Sequence, residues 1–128
     1  MKIDRIDHIV LTVRDIAATV EFYTRVLGME ARTFGAGRTA LHFGRQKINL
    51  HPHPSPIEPR AARPMPGSAD FCLVADGGLD GVIARLEACG VAIEVGPRAT
   101  AGAQGDMSSV YFRDPDGNLV EVATYEPA

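Results

Sequence analysis

Four residues pair metal-binding or proton-transfer chemistry with strand positions where an apolar or neutral side chain would be the ordinary choice: His8, His51, Asp70 and Glu121. His8 opens Asp7-His8-Ile9-Val10-Leu11-Thr12-Val13, and His51 closes Lys47-Ile48-Asn49-Leu50-His51. Asp70 opens Asp70-Phe71-Cys72-Leu73-Val74, and Glu121 lies within Asn118-Leu119-Val120-Glu121-Val122. Two imidazoles and one or two carboxylates form a mixed nitrogen and oxygen donor set for a divalent cation. A set of two histidines and one carboxylate leaves positions open for substrate or water. Asn49 shares a strand face with His51, two residues on, as a partner to the site or as the metal donor in its place. Taken singly, each has a plainer role. A strand-end histidine is usually surface or hydrogen-bonded, Glu121 could face solvent on an edge strand, and Asp70 could cap a connector.

An internal repeat joins the four: Asp70 takes the place of His8, and counted back from their strand ends His51 and Glu121 are near counterparts. The β-branched alternation from Asp7 to Val13 predicts a strand, and Asp15 is placed to cap a helix whose apolar stripe is Ile16, Val20, Tyr23 and Leu27, ending at Gly28. Extended stretches follow at Met29–Phe34, Thr39–Phe43 and Lys47–His51. A shift of 62 residues, from His8 to Asp70, restores the pattern. Asp70–Val74 repeats the strand, Leu79, Val82, Ile83 and Leu86 the helix, and Gly90 its end. Val91–Val95, Ser108–Phe112 and Asn118–Ala123 supply three more strands. Leu11/Leu73, Val20/Val82 and Gly28/Gly90 keep register. The order is β-α-β-β-β twice, an α+β fold of paired βαβββ modules whose two facing sheets would surround a cleft. It divides one domain of residues 1–128 into a first module at 1–51, a proline-rich linker at 52–68 and a second module at 69–128. Six of the nine prolines fall between Pro52 and Pro66, where a fixed φ and a missing N–H favour a connector. Ala99–Gly105 reads as a mobile loop and Asp114-Pro115-Asp116-Gly117 as a hairpin turn.

Composition narrows the function classes. With 13 basic against 16 acidic residues, a net charge of −3 and 6% aromatics, the chain lacks the basic excess of a nucleic-acid binder. No apolar run is long enough for a bilayer span. The charged start Met1-Lys2-Ile3-Asp4-Arg5 is no secretory signal. Cys72 and Cys89 each sit in an apolar pattern and read as buried thiols in a reducing compartment, so the expected location is cytoplasmic. His42 and His53 read as structural or exposed, and no spacing selects Tyr23, Arg38, Tyr111 or Arg113 for an anionic substrate. No phosphate-cradling glycine motif is present.

Four strings, DHIVLTV at Asp7, FYxxVLGM at Phe22, FGxQKINLH at Phe43 and YFRDPDGNLVE at Tyr111, together resemble the vicinal oxygen chelate superfamily, the glyoxalase/bleomycin resistance/dioxygenase family. The closest likeness is to small glyoxalase-domain-containing proteins. The resemblance covers almost the whole chain. It implies paired βαβββ modules, each a curved mixed sheet, a homodimer, and a divalent metal that chelates a small-molecule substrate and stabilises an enolate or oxyanion. Mixed nitrogen and oxygen ligands are compatible with Zn, Ni, Mn or Fe. His8 and Glu121 fall on the family's ligand positions, and His51 joins them in the ligand set this reading implies. Asp70 stands where extradiol dioxygenases and fosfomycin thiol transferases have histidine, and becomes a fourth ligand or the general base. Glu121 and Asp70 are the carboxylates implied for catalysis. The expected function is a metal-dependent lyase or isomerase. The alternatives are a dioxygenase of the same superfamily, a metal-free protein that sequesters its ligand, and a structural or regulatory protein with a vestigial site.

Overall fold

The computed structural model describes residues 1–54 and 57–126, so Ser55 and Pro56 of the proline-rich linker lie outside the described residues. The chain divides into two units, Met1–Ser68 and Ala69–Ala128.

In the first unit, β1 (His8–Val13) leads into α1 (Ile16–Leu27), and β2 (Glu30–Phe34), β3 (Arg38–Phe43) and β4 (Gln46–Pro52) follow as an antiparallel meander. β4 returns beside β1 in parallel, giving the order β1-β4-β3-β2. Asp15 starts the helix by accepting the Ala18 N–H at 3.1 Å, which satisfies one of the first-turn donors that lack a partner within the helix. Gly28 ends it at φ 67°, a left-handed conformation that a side chain would strain. Thr19, Phe22, Tyr23 and Val26 are the helix's buried face. The strands supply Leu11, Val13, Leu41, Ile48 and Leu50, all essentially buried. Each such side chain contributes roughly 1.5–3 kcal/mol relative to exposure. Because strand side chains alternate, this core parity sends His8, Val10, Thr12, Lys47, Asn49 and His51 to the opposite face of the sheet.

The second unit repeats the plan with β5 (Asp70–Val74), α2 (Leu79–Ala88), β6 (Val95–Gly102), β7 (Gly105–Arg113) and β8 (Leu119–Thr124), in the order β5-β8-β7-β6. Val110, Phe112, Val120 and Val122 are buried on the helix side with Leu79 and Leu86. Asp70, Cys72, Ser109, Tyr111 and Glu121 take the other parity. The architecture is therefore α+β, two four-stranded mixed sheets each with one helix.

Two local expectations change. Ala99–Gly105 is not a loop: Thr100, Ala101 and Gly102 pair with Met107, Asp106 and Gly105, leaving only two residues to turn the hairpin. Glycine and alanine fit there because space is short. A Cβ on Gly102 would crowd the Tyr125 hydroxyl oxygen and approach the Met107 sulfur to 2.6 Å. The strand expected at Val91–Val95 begins only at Val95, where the pairing shifts register before Arg98. The 114–117 turn forms as expected. Asp114 Oδ1 accepts the N–H groups of Asp116 and Asn118, both at 2.9 Å.

Candidate functional site

His8 stands at the exposed start of β1, its Nδ1 2.7 Å from Asp7 Oδ1. That hydrogen bond is the main reason the Asp7 carboxyl lies below its ordinary value. It also leaves Nε2 as the free lone pair, the orientation a carboxylate commonly gives to a metal-binding imidazole. One rung along the face is Asn49, opposite Val10. Asn49 is buried and its Oδ1 has no hydrogen-bond partner.

His51 is on the same face but not beside His8. His8 pairs with Lys47 and His51 with Thr12, so four residues, roughly 13 Å of strand, separate their levels. His51 is buried, and its Nε2 faces Arg38 Nη2 at 3.2 Å. Burial first, and then the Arg38 cation, push its pKa down. The guanidinium can only donate, so the neutral ring accepts at Nε2 and carries its proton at Nδ1. The lone pair a metal would need is committed to Arg38. Phe34 closes this face, with Lys47 Nζ 4.1 Å and the Arg38 guanidinium carbon 4.8 Å from its ring centre.

In the second unit Asp70 opens β5, exposed, and Glu121 stands one rung on, opposite Cys72. Register therefore makes Asp70 the counterpart of His8 and Glu121 the counterpart of Asn49. His51 corresponds to Ala123, not to Glu121 as counting back from the strand ends suggested. Ser109, fully buried, donates its hydroxyl to Glu121 Oε2 at 2.6 Å and lies 2.6 Å from the Thr100 hydroxyl. Glu121 lines an open cavity of about 690 Å³ with Cys72, Arg98, Tyr111 and Tyr125. Cys72 is exposed here rather than in the core, because Phe71 and Leu73 take the helix-facing parity. Local desolvation, then the Glu121 charge, raises its thiol to about 11. The sequence reading passed over Ser109, Thr100 and Arg98. Counting in twos from Glu121 back through the 114–117 turn would have placed Ser109 and Tyr111 on its face.

The remaining candidates are structural. Tyr23 is in the core against Phe22, with ring centres 5.5 Å apart. Arg113 pairs with Glu94 at 2.9 Å. Among the described residues no three His, Cys, Asp or Glu side chains form a ready ligand cluster. His8 with Asn49 in one unit, and Asp70 with Glu121 in the other, each share one open sheet face a rung apart, whereas His51 lies four residues along the strand from the level of His8. No helix among the described residues is long and apolar enough to cross a membrane.

The sequence profile of the Glyoxalase/Bleomycin resistance protein/Dioxygenase superfamily matches residues 5–122. The chain is 50% identical over 125 residues to the virulence protein STM3117 of Salmonella typhimurium, covering 98% of this chain and 87% of that protein. It is 43% identical over 128 residues to the glyoxalase domain-containing protein RDO1 of Mycosarcoma maydis, covering 100% of this chain and 72% of that protein. Among solved structures, an integron cassette protein from the mobile metagenome of V. cholerae superposes with TM-score 0.96 at 54% identity, over 98% of each chain. A lactoylglutathione lyase from Agrobacterium tumefaciens does so with TM-score 0.74 at 28% identity, over 97% of this chain and 96% of that one. The antibiotic-binding protein TnmS3 from Streptomyces sp. CB03234, at 23% identity and TM-score 0.75 over 97% of this chain and 98% of its own, shares the fold. This chain belongs to the Glyoxalase/Bleomycin resistance protein/Dioxygenase superfamily.

Proposed function

We propose that this member of the superfamily is a glyoxalase-like enzyme of the lyase or isomerase type. It acts on a small oxygenated or thiol-conjugated molecule received in the cavity of the second unit, with Glu121 as the proton-accepting carboxylate. The observation that carries this reading is Glu121 itself, a carboxylate in the wall of a cavity of about 690 Å³ and fixed at one oxygen by Ser109. Removing a proton next to a carbonyl requires a base held in one orientation at hydrogen-bond range. Ser109 does the holding, and Thr100 in turn bonds to Ser109. Asp70, one rung away, is the second carboxylate on that face. The likeness to a structure described as a lactoylglutathione lyase supports the same class of chemistry.

Members of this superfamily commonly use divalent metals. Within the first unit His8 and Asn49 are the residues that would hold such an ion, and within the second Asp70 and Glu121 are. Zn, Ni, Mn and Fe all accept donors of these kinds. When bound, a divalent ion polarises a substrate oxygen and stabilises negative charge as it develops there. The test is metal content per chain, in protein purified without chelator or histidine tag. Near-stoichiometric metal in the parent, lost in both His8→Ala and Glu121→Ala, is the expected result, and iron in that content would redirect the reading to a dioxygenase.

Asn49 favours a second reading, sequestration without turnover. The first unit presents a neutral carboxamide where the second presents a carboxylate, which weakens any shared demand for a metal. Under that reading both variants keep the parent's metal content, at or near zero, and small molecules still bind in the cavity.

A further inference from the structure

The cavity beside Glu121 holds a second charge that the proposed chemistry does not use. Arg98, on β6, lies over the Tyr111 ring with its guanidinium carbon 5.0 Å from the ring centre, and its Nη2 is 3.5 Å from the Tyr111 hydroxyl. Among the described residues no carboxylate pairs with it, and Glu121 in the same cavity bonds to Ser109 instead. One wall thus offers an exposed planar cation held against an aromatic ring, and another offers a carboxylate acceptor. Alanines 99, 101 and 103 and Val74 add small apolar surface to the cavity lining.

We infer that the cavity selects small hydroxy- or amino-carboxylates, with Arg98 as the specificity-determining residue for the ligand's carboxylate and Glu121 accepting a hydrogen bond from its hydroxyl or ammonium group. An unpaired guanidinium forms its strongest pairs with planar oxyanions through two parallel N–H donors. An ionised carboxylate has only acceptors and so requires a donor on the ligand. The cavity, at about 690 Å³, lies within the roughly 300–1,000 Å³ typical of small-molecule sites. The inference rests on the reading that this cavity is the working face, and it adds the substrate class.

Four probes separate the terms by NMR titration of the full chain: mandelate, phenylglycine, mandelamide and phenylacetate. Mandelate or phenylglycine is expected to shift the amide signals of residues 98–111 and 121 saturably. Affinity is expected to fall at least about tenfold, one charge-assisted pair, for mandelamide and for mandelate with Arg98→Gln, and less for Arg98→Lys. Phenylacetate, lacking the donor, binds more weakly than mandelate to the parent, and that gap closes in Glu121→Ala, which removes the acceptor. Mandelamide binding as tightly as mandelate, with Arg98→Gln unchanged, overturns the role of Arg98 while leaving the cavity as the site. No shift at these residues with any of the four overturns the cavity reading together with the inference.

Discussion

The two units run one backbone plan with two different open faces. Each pairs its first strand in parallel with its last, and each places a polar residue at the start of the first strand and another one rung on along the last. In the first unit those residues are His8 and Asn49, and the end of the face is closed by buried His51 against half-buried Arg38 and by Phe34 under two cations. In the second they are Asp70 and Glu121, the residue matching His51 is Ala123, and a cavity remains open beside the carboxylate. A duplicated scaffold therefore leaves chemistry to a few positions of one strand parity. The His51 position carries a hydrogen-bonded imidazole in one unit and a buried alanine in the other.

Substitutions can break that contrast. Glu121→Gln keeps the Ser109 contact and the shape while removing the charge, so turnover should fall by about 100-fold or more with the fold intact. Steady-state rates beside far-ultraviolet circular dichroism check this. Next in size is the Cys72 thiol, whose ionisation lies at about 11 against an ordinary 9.0. In chelator-treated protein at pH 8 it should carry about a hundredfold less thiolate than an ordinary thiol and alkylate correspondingly slowly. Glu121→Gln should speed it, and iodoacetamide labelling followed by mass spectrometry reads the rate.

The hairpins before the last strands offer a structural contrast. The second unit's turn rests on Asn118, which accepts the Ala69 N–H at 2.9 Å and donates to Asp114 at 2.8 Å, all buried or nearly so. Asn118→Ala should cost about 2–3 kcal/mol in denaturant unfolding, because buried partners are left unpaired. The first unit turns at Gly44 with φ 50°, and Gly44→Ala should cost only about 1 kcal/mol.

The smallest effect concerns pH. The folded pKa of His51 is depressed, so the unfolded chain binds the extra proton first. The stability this residue contributes is present above its ordinary value of 6.5 and is lost as pH falls below it. Unfolding midpoints of chelator-treated protein between pH 5 and 8 should show that loss in the parent and a flatter profile in His51→Gln.

Most of the fold was legible in the sequence because it rests on local signals: alternation in DHIVLTV, the Asp15 cap, the glycine ends of both helices and the repeat that orders them. The hairpin of β6 and β7 was missed because alanine and glycine carry little strand preference. Cross-strand pairing and the tight approach of Tyr125 to Gly102 decide that segment. The site was legible by type but not by register. His51 and Glu121 looked equivalent from the strand ends, and only the pairing with β1 and β5 reveals Asn49 as the counterpart of Glu121. Arg38, on which the state of His51 depends, reaches it from a neighbouring strand, and no spacing along the chain announces that contact.

The most direct test of this contrast is a calorimetric titration of chelator-treated protein with Ni²⁺, comparing the parent with Glu121→Gln and His51→Gln. Glu121→Gln should bind at least about tenfold more weakly, the loss of one charged ligand, and His51→Gln should stay within about twofold of the parent. Loss of binding in His51→Gln, with Glu121→Gln unchanged, would contradict this contrast.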